Sequence, residues 1–337
     1  MGAAWTPPLA GEKGVRSMSK LFISIVFLVL VLSTNAQNLQ TADRLNEKGL
    51  DHAKKGQLDT AITEFTQAID IVSRFGSTKD SARDGYASNL TAADDAAKVR
   101  VLDPNAGAYY VNRGNAYLVR NEIDRAIADY NQAIALSPGR AEAYQCRATA
   151  WLQKEDPTRA MADYEKVIKL QPTWSEAFAG RALVRFQLGD NRGAFQDFDE
   201  AIKLAPKNAE NYYFRGSVLR KLNNLDRAKA DFETAISLNP KAALPYLGRG
   251  YLLMKKKDYD GAVADFSKAA SLDGRLAAAY AARGFAHLMQ GKETEANADF
   301  ILARGIAPSM QAEIDATTAE IKTTKGWTDS AYSSKKN

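Results

Sequence analysis

Residues 207–240 read KNAENYYFRGSVLRKLNNLDRAKADFETAISLNP. Tyr212, Gly216 and Leu219 fall at i, i+4 and i+7, and Ala228, Phe232 and Ala235 repeat that spacing. Each set lies on one face of a helix with 3.6 residues per turn. The glycine at the centre of the first helix lets a second helix approach closely, and the aromatic of the second fills the space this leaves. Pro240 then ends the second helix, because proline lacks the amide donor and disfavours helical geometry in the residue before it. The stretch is an antiparallel helix pair.

The same pair recurs on both sides. Gly114, Ala148, Ala182, Gly216, Gly250 and Gly284 are each 34 residues apart, as are Ala126, Ala160, Ala194, Ala228, Ala262 and Ala296. Tyr130, Tyr164, Phe198, Phe232, Phe266 and Phe300 keep the period, and Pro138, Pro172, Pro206, Pro240 and Pro308 keep its phase, with Gly274 filling the gap. An earlier copy starts at Ala42, with Gly49, Ala61, Phe65 and Ala68 in the same relative places. Internal repetition at such a period is the signature of a solenoid.

These residues resemble the tetratricopeptide repeat family, whose 34-residue period and small-residue, alanine, aromatic and proline pattern is well defined. The family's tryptophan near the start of the first helix is replaced by Tyr110, Tyr144, Tyr212, Tyr246 and Tyr280. The resemblance implies an all-α fold: a right-handed α-solenoid of helix-turn-helix repeats closed by a C-terminal capping helix. Seven copies cover residues 42–75 and 107–310, about 70% of the chain, so they decide the fold. The organisation expected is a leader at 1–36, a first repeat at 37–75, a degenerate repeat or insert at 76–106, six tandem repeats at 107–310, a capping helix at 311–324 and a polar tail at 325–337. Ala92, Ala96 and Val99 fit the phase of a second helix within the insert. Met310, Ile314, Thr317 and Ile321 line one face of the cap, which would cover the apolar end of an open array.

The amino terminus reads as an address. Lys20 precedes LFISIVFLVLVL at 21–32, and Ser33-Thr34-Asn35-Ala36 follows. Twelve apolar residues are too few for a spanning helix, which needs about 20. A charged start, an apolar run and a small-residue exit describe a secretory signal peptide, cleaved after Ala36, with Met18 as the possible true start. The alternative is an uncleaved anchor in the inner membrane through 21–32. Removing residues 1–36 takes away three cations and one anion, so the net charge falls from +5 to +3. So mild a charge gives no reason to expect a nucleic-acid partner. In a eukaryotic secreted protein Asn89-Leu90-Thr91 would be a glycosylation acceptor.

A charge pair is also periodic. Arg113, Arg147, Arg181, Arg215, Arg249 and Arg283 hold one position, and Asp129, Asp163, Asp197, Asp231, Asp265 and Asp299 another. The first copy carries Lys48 and Glu64 at these places. The expectation is a structural ladder of Arg–Asp contacts, within a copy or between neighbours, because every cation has a matching anion. The competing reading is a basic face for phosphate or acidic chains.

Stacked helix pairs present a long concave surface. In proteins of the resembled family the first helices line it. The candidate partner-binding residues are then Leu247, Tyr251, Met254, Lys255, Phe285, Leu288 and Met289, with Phe186, Gln187, Tyr213, Arg220 and Lys221 from the copies before. Asn46, Asn115, Gln145 and Thr149 make the early repeats more polar, so the groove is expected to become apolar toward the carboxyl end. Packing against the cap is the alternative role for Phe285, Leu288 and Met289. The family's carboxylate clamp needs lysines and asparagines at set positions. Here Val111, Gln145, Ala179 and Leu247 stand where the first lysine would be, which argues against capture of a terminal carboxylate.

No phosphate loop, dinucleotide turn, H-E-x-x-H or G-x-S-x-G occurs. One cysteine, Cys146, and two histidines, His52 and His287, leave little for a metal site or a catalytic constellation. Packing is the expected role of all three. No cofactor, no metal and no catalytic residue are expected. The sequence points to an exported, non-enzymatic scaffold that binds a peptide or protein in its groove, periplasmic or secreted. The alternative is an accessory or targeting subunit of a cell-envelope enzyme or polysaccharide assembly complex.

Overall fold

A computed structural model describes residues 36–76 and 103–325. The leader at 21–32, the cleavage-site residues before Ala36, most of the 76–106 segment and the tail beyond Lys325 lie outside the described residues. Every regular element among the described residues is helical.

The chain divides into two units, up to Leu170 and from Gln171. The first contains α1 (36–54), α2 (Leu58–Gly76), α3 (Ala106–Val119), α4 (Ile123–Leu136), α5 (Ala141–Gln153) and α6 (Pro157–Leu170). The second contains α7 (Ser175–Gln187), α8 (Asn191–Leu204), α9 (Ala209–Lys221), α10 (Leu225–Leu238), α11 (Ala243–Lys255), α12 (Tyr259–Leu272), α13 (Ala277–Met289) and α14 (Glu293–Ile306). A 3₁₀ turn (Pro308–Met310) leads to α15 (Gln311–Thr324). Each second helix from α4 to α14 stops two residues before the periodic Pro or Gly, as the missing amide and the restricted preceding residue require.

Within a pair, the small residue and the aromatic set the spacing. A Cβ added at Gly250 would lie 2.5 Å from Phe266 Cε1, and one at Gly284 2.5 Å from Phe300 Cε1. Phe65, Phe198, Phe232 and Phe266 are fully buried. The turn between the two helices places one residue in the left-handed region at the same phase in every copy from Asn121 onward: Asn121, Glu155, Gly189, Asn223, Lys257 and Gly291. Gly and Asn adopt this region at little cost, whereas Glu155 and Lys257 hold it against their Cβ.

The first pair packs directly on α3. Tyr109 donates its hydroxyl to Asp43 at 2.7 Å, Asn112 donates to Asn46 at 2.8 Å, and Ala106, Tyr109 and Leu136 share a core with Ala42, Ala68, Ile69 and Val72. Among the described residues no further layer stands between these two pairs.

In the second unit α9 touches α7 and α11, and α11 touches α13, so the first helices meet one another along the run. The second helices pack closely against first helices only. The first-helix side is therefore the inner, concave side of this unit. The run is closed by α15, whose Ile314 is fully buried against Ala281, Leu288, Ala296, Phe300 and Ala303, with Met310 and Ile321 beside it. Arg304 meets Asp315 at 3.0 Å and Lys322 meets Glu293 at 3.8 Å, so α15 runs antiparallel to α14.

Candidate functional site

The periodic charges show which polar groups the fold consumes. In six copies the arginine of the first helix forks the aspartate sixteen residues on. Arg113 holds Asp129 at 2.9 and 2.8 Å, Arg147 holds Asp163 at 2.8 and 2.7 Å, and Arg181 holds Asp197 at 2.8 and 2.7 Å. Arg215 holds Asp231 at 2.9 and 2.8 Å, Arg249 holds Asp265 at 2.8 Å twice, and Arg283 holds Asp299 at 2.9 and 2.5 Å. The aspartates are all buried. Burial of an acid is tolerable because a bidentate guanidinium satisfies both of its oxygens.

The same arginines also tie copies together. Arg147 Nη1 donates to Asn131 at 2.6 Å, Arg215 Nη1 to Asp199 at 2.8 Å and Arg283 Nη1 to Ser267 at 3.2 Å, each on the preceding second helix. Arg113 Nη1 reaches Thr66 at 3.1 Å. The flat faces stack too: the Arg215 guanidinium lies 5.6 Å from the Tyr212 ring and Arg283 5.5 Å from Tyr280. Hydrogen bonding to Asp231 holds the Arg215 guanidinium above its ordinary range, against the opposing effect of burial. The tyrosines that stand where the family has tryptophan thus serve this structure, and Tyr144, Tyr212 and Tyr246 donate their hydroxyls to Pro138, Pro206 and Pro240 carbonyls at 3.2–3.3 Å. In the first copy Glu64 is met by His52 Nδ1 at 2.8 Å. His287 lies 3.9 Å from Asp299, at the edge of the last pair. Cys146 is partly buried, and burial pushes its thiol up to about 12, away from nucleophilic use near neutral pH.

The candidate groove residues divide. Leu247 and Leu288 are core: they are 8% and 2% exposed and pack with Phe266 and with Ile314 respectively. Phe285 lies against Phe300 at 5.1 Å and belongs to the cluster that α15 closes. Met289 is half-buried on the same helix. The expectation of an apolar groove at the carboxyl end is therefore corrected. Leu288 and Phe285 belong to the cluster closed by the chain's own cap, because an array end must bury the face that a further repeat would have covered, and Leu247 is buried with Phe266, Ala270 and Ala279 instead. Phe186 is half-buried against the Ala182, Ala194, Phe198 and Val218 cluster, and Gln187 beside it is exposed.

Between them, α9 and α11 bring the rest together. Tyr213 is half-buried, its ring 5.0 Å from Phe214 and 6.0 Å from Phe232. Tyr251 is 36% exposed, its ring edge-on to Phe266 at 5.4 Å. The Arg220 guanidinium lies 5.6 Å from the Tyr251 ring and so bridges the two copies. Met254 is half-buried on the Phe266 core, Lys221 and Lys255 are exposed, and Lys255 Nζ donates to Asn223 at 2.7 Å. Crowding by neighbouring atoms holds both phenols above their ordinary range; Arg220 pulls both down, and Glu313 of α15 pushes Tyr251 up.

At the other end of the same two helices is an open pocket of about 370 Å³, lined by Ala209, Glu210, Tyr213, Leu244, Pro245 and Leu272 among others. Leu244 is 41% exposed, and sequence reasoning missed it. A signal was present: Glu142, Glu176 and Glu210 hold this phase in the earlier copies, and Leu244 breaks the series. A second pocket, of about 520 Å³ in the first unit, has both of its guanidiniums engaged: Arg113 by Asp129 and Thr66, and Arg125 by Glu122 at 2.6 Å and the Tyr117 ring at 4.3 Å. Among the described residues no group of three or more His, Cys, Asp or Glu is placed to hold a metal ion, and no helix is long and apolar enough to cross a membrane.

Comparison with known proteins agrees with this architecture. Sequence profiles described as tetratricopeptide repeat match residues 108–139, 147–209 and 213–281. No curated protein matches the sequence. Among solved structures, the chain is similar to a tetratricopeptide repeat protein from Parabacteroides merdae, with a TM-score of 0.60 and 21% identity over 84% of this chain and 99% of that one. It is also similar to PilF of Pseudomonas aeruginosa, with a TM-score of 0.57 and 20% identity over 64% of this chain and 98% of that one. At these identities the structures speak for the fold, and the repeat profiles speak for the sequence. The repeated Gly/Ala–aromatic pairs, the sequence profiles and the helical architecture together place this chain in the tetratricopeptide repeat family, whose arrays are protein–protein interaction scaffolds.

Proposed function

We propose that the chain is an exported, non-enzymatic scaffold that binds a peptide or protein partner on the inner face of its second unit, around α9 and α11. One observation carries this reading. The repeated polar side chains are spent on the fold, whereas Tyr213, Arg220, Lys221, Tyr251 and Lys255 gather on one face with accessible aromatic and cationic surface. Exposed aromatic and arginine side chains over a packed base are the usual anchors of protein interfaces. Rigid pairs of helices lend this face a preformed shape, which lowers the ordering cost of binding. Export is supported by Lys20, the apolar run at 21–32 and the small residues at 33–36.

The test is selection from an unbiased displayed peptide library, followed by calorimetric titration of the selected peptides. Binding should fall when Tyr213, Tyr251 and Met254 are changed to alanine together. Unchanged affinity in that variant would remove the assignment to this face. Export is tested by expressing the full chain and sequencing the amino terminus of the mature protein, which should begin at Gln37.

A further inference from the structure

We propose that this face recognises a short acidic peptide carrying an apolar residue about three positions from its carboxylates. The inference rests on the scaffold reading and names the chemistry of the partner.

The cations of this face differ from the ladder arginines. Each ladder arginine has an aspartate of its own copy. At the margin of the face Lys256 meets Asp226 at 3.0 Å. Among the described residues, Arg220, Lys221 and Lys255 have no carboxylate within ion-pair distance; Lys255 reaches only the neutral amide oxygen of Asn223. Three cations at the ends of two adjacent helices therefore carry positive charge with no carboxylate in contact. Helix carboxyl ends are negative poles, so the cations also offset the dipoles of α9 and α11, but that offset leaves their outward donors available. A carboxylate is the complementary group, and charge complementarity of this kind sets specificity and encounter rate.

The apolar half of the partner is set by the pocket at the other end. Tyr213, Leu244, Leu272 and Pro245 give it apolar walls of a size that accepts one branched or aromatic side chain. From Tyr213 to Arg220 is seven residues along α9, roughly 10 Å at the helical rise of about 1.5 Å per residue. An extended peptide covers that span in about three residues. Between the two ends lie Tyr251 and Ser217, surfaces that accept backbone and small side chains without demanding charge.

A long polyanion fits less well. Glu210 sits at the pocket and Glu176 holds the same phase one copy earlier, while the charge of Glu313 is felt at Tyr251. A uniformly charged strand running past the cations meets these carboxylates, whereas a peptide can place acid at one end only. A peptide is therefore favoured over nucleic acid or an acidic polysaccharide.

The experiment uses the full chain and fluorescence anisotropy. The probes are short labelled peptides with one leucine or phenylalanine and a pair of glutamates at increasing separations, each with a glutamine twin. A labelled oligothymidylate and an oligouronate are run beside them. Glutamate peptides should bind best near the three-residue separation and weaken with added salt. They should lose about tenfold or more in affinity in Arg220→Glu/Lys255→Glu, two reversed contacts each worth up to about 1 kcal/mol. Leu244→Asp should weaken them while leaving salt dependence in place. If Arg220→Glu/Lys255→Glu fails to fold, Lys221→Glu/Lys255→Glu, both fully surface changes, gives the same reading. Equal binding of glutamine twins, indifference to charge reversal, tighter binding of the oligothymidylate or oligouronate, or self-association through these residues that excludes the peptides would each overturn the proposal. Library-selected peptides that bind this face and are not acidic would overturn this inference and leave the scaffold reading standing; failure of any peptide to bind this face would remove both.

Discussion

Removing Asp231 should cost far more than an ordinary surface pair. Its side chain accepts two hydrogen bonds from Arg215 at 2.9 and 2.8 Å, with 9% of the aspartate and 15% of the arginine side chain exposed. Orphaning a fully buried partner costs roughly 3–5 kcal/mol. Here Arg215 keeps Asp199 at 2.8 Å and a ring face of Tyr212, so the guanidinium is not left alone. The expected cost of Asp231→Ala is therefore about 2–3 kcal/mol. The assay is urea unfolding of the full chain followed by circular dichroism, with hydrogen exchange of residues 225–238 as the local readout, because repeat arrays can lose two-state cooperativity. The surroundings also predict how a swap behaves. In Arg215→Asp/Asp231→Arg the new acid at 215 faces Asp199, so rescue should be partial. In Arg147→Asp/Asp163→Arg the third partner is the neutral Asn131, so rescue should be fuller. A loss below about 1 kcal/mol for Asp231→Ala, the value of an exposed pair, would refute the reasoning.

Three further outcomes are expected. Gly250→Ala should destabilise by about 1–3 kcal/mol, because its Cβ would lie 2.5 Å from the fully buried Phe266 ring, and Gly250→Val should cost more; thermal unfolding of the two variants, with Phe266→Leu as the relieving second change, reads this. Glu155→Gly should stabilise by about 0.5–1 kcal/mol, because glycine holds the left-handed turn without Cβ strain, and the urea midpoint measures it. Cys146, with its thiol pushed up to about 12, should alkylate slowly in the native chain at pH 8 and quickly in urea; because the folded state holds the proton more tightly than the unfolded one, its contribution to stability is present below about pH 9 and lost as pH rises toward 12, a slope that Cys146→Ala should remove.

The helix pairs were legible because a glycine and a facing aromatic recur at one period, and nothing but close helix packing needs that combination. The Arg–Asp fork was legible for the same reason, although the third contact, from Arg215 to Asp199, was open in the sequence because both within-copy and between-copy pairings satisfied the charges. The groove was read less well. Leu247 and Tyr251 are four residues apart on one helix, yet one is core and the other is accessible, since a few tens of degrees of helix rotation decide between them. Leu288 and Phe285 look like groove residues until α15 is laid across them, and the direction of that cap depends on Ile314 and Ile321 meeting a surface that no local pattern announces. Ala92, Ala96 and Val99 fit the repeat phase, but phase alone does not report that Tyr109 reaches back to Asp43. Leu244 stands at the start of α11, six residues before the packed Gly250, outside the periodicity that marks the groove.

The most direct test of the account places a photo-crosslinking phenylalanine derivative at position 251, on the inner face of α11, and in a second protein at position 233, on the exposed side of α10. Each full chain is irradiated in native extract, and the adducts are identified by mass spectrometry. A discrete protein adduct is expected from position 251, competed by the acidic peptides, and none of that identity from position 233. Adducts of the same partner from position 233 alone, or from both positions with no competition by peptide, would contradict it.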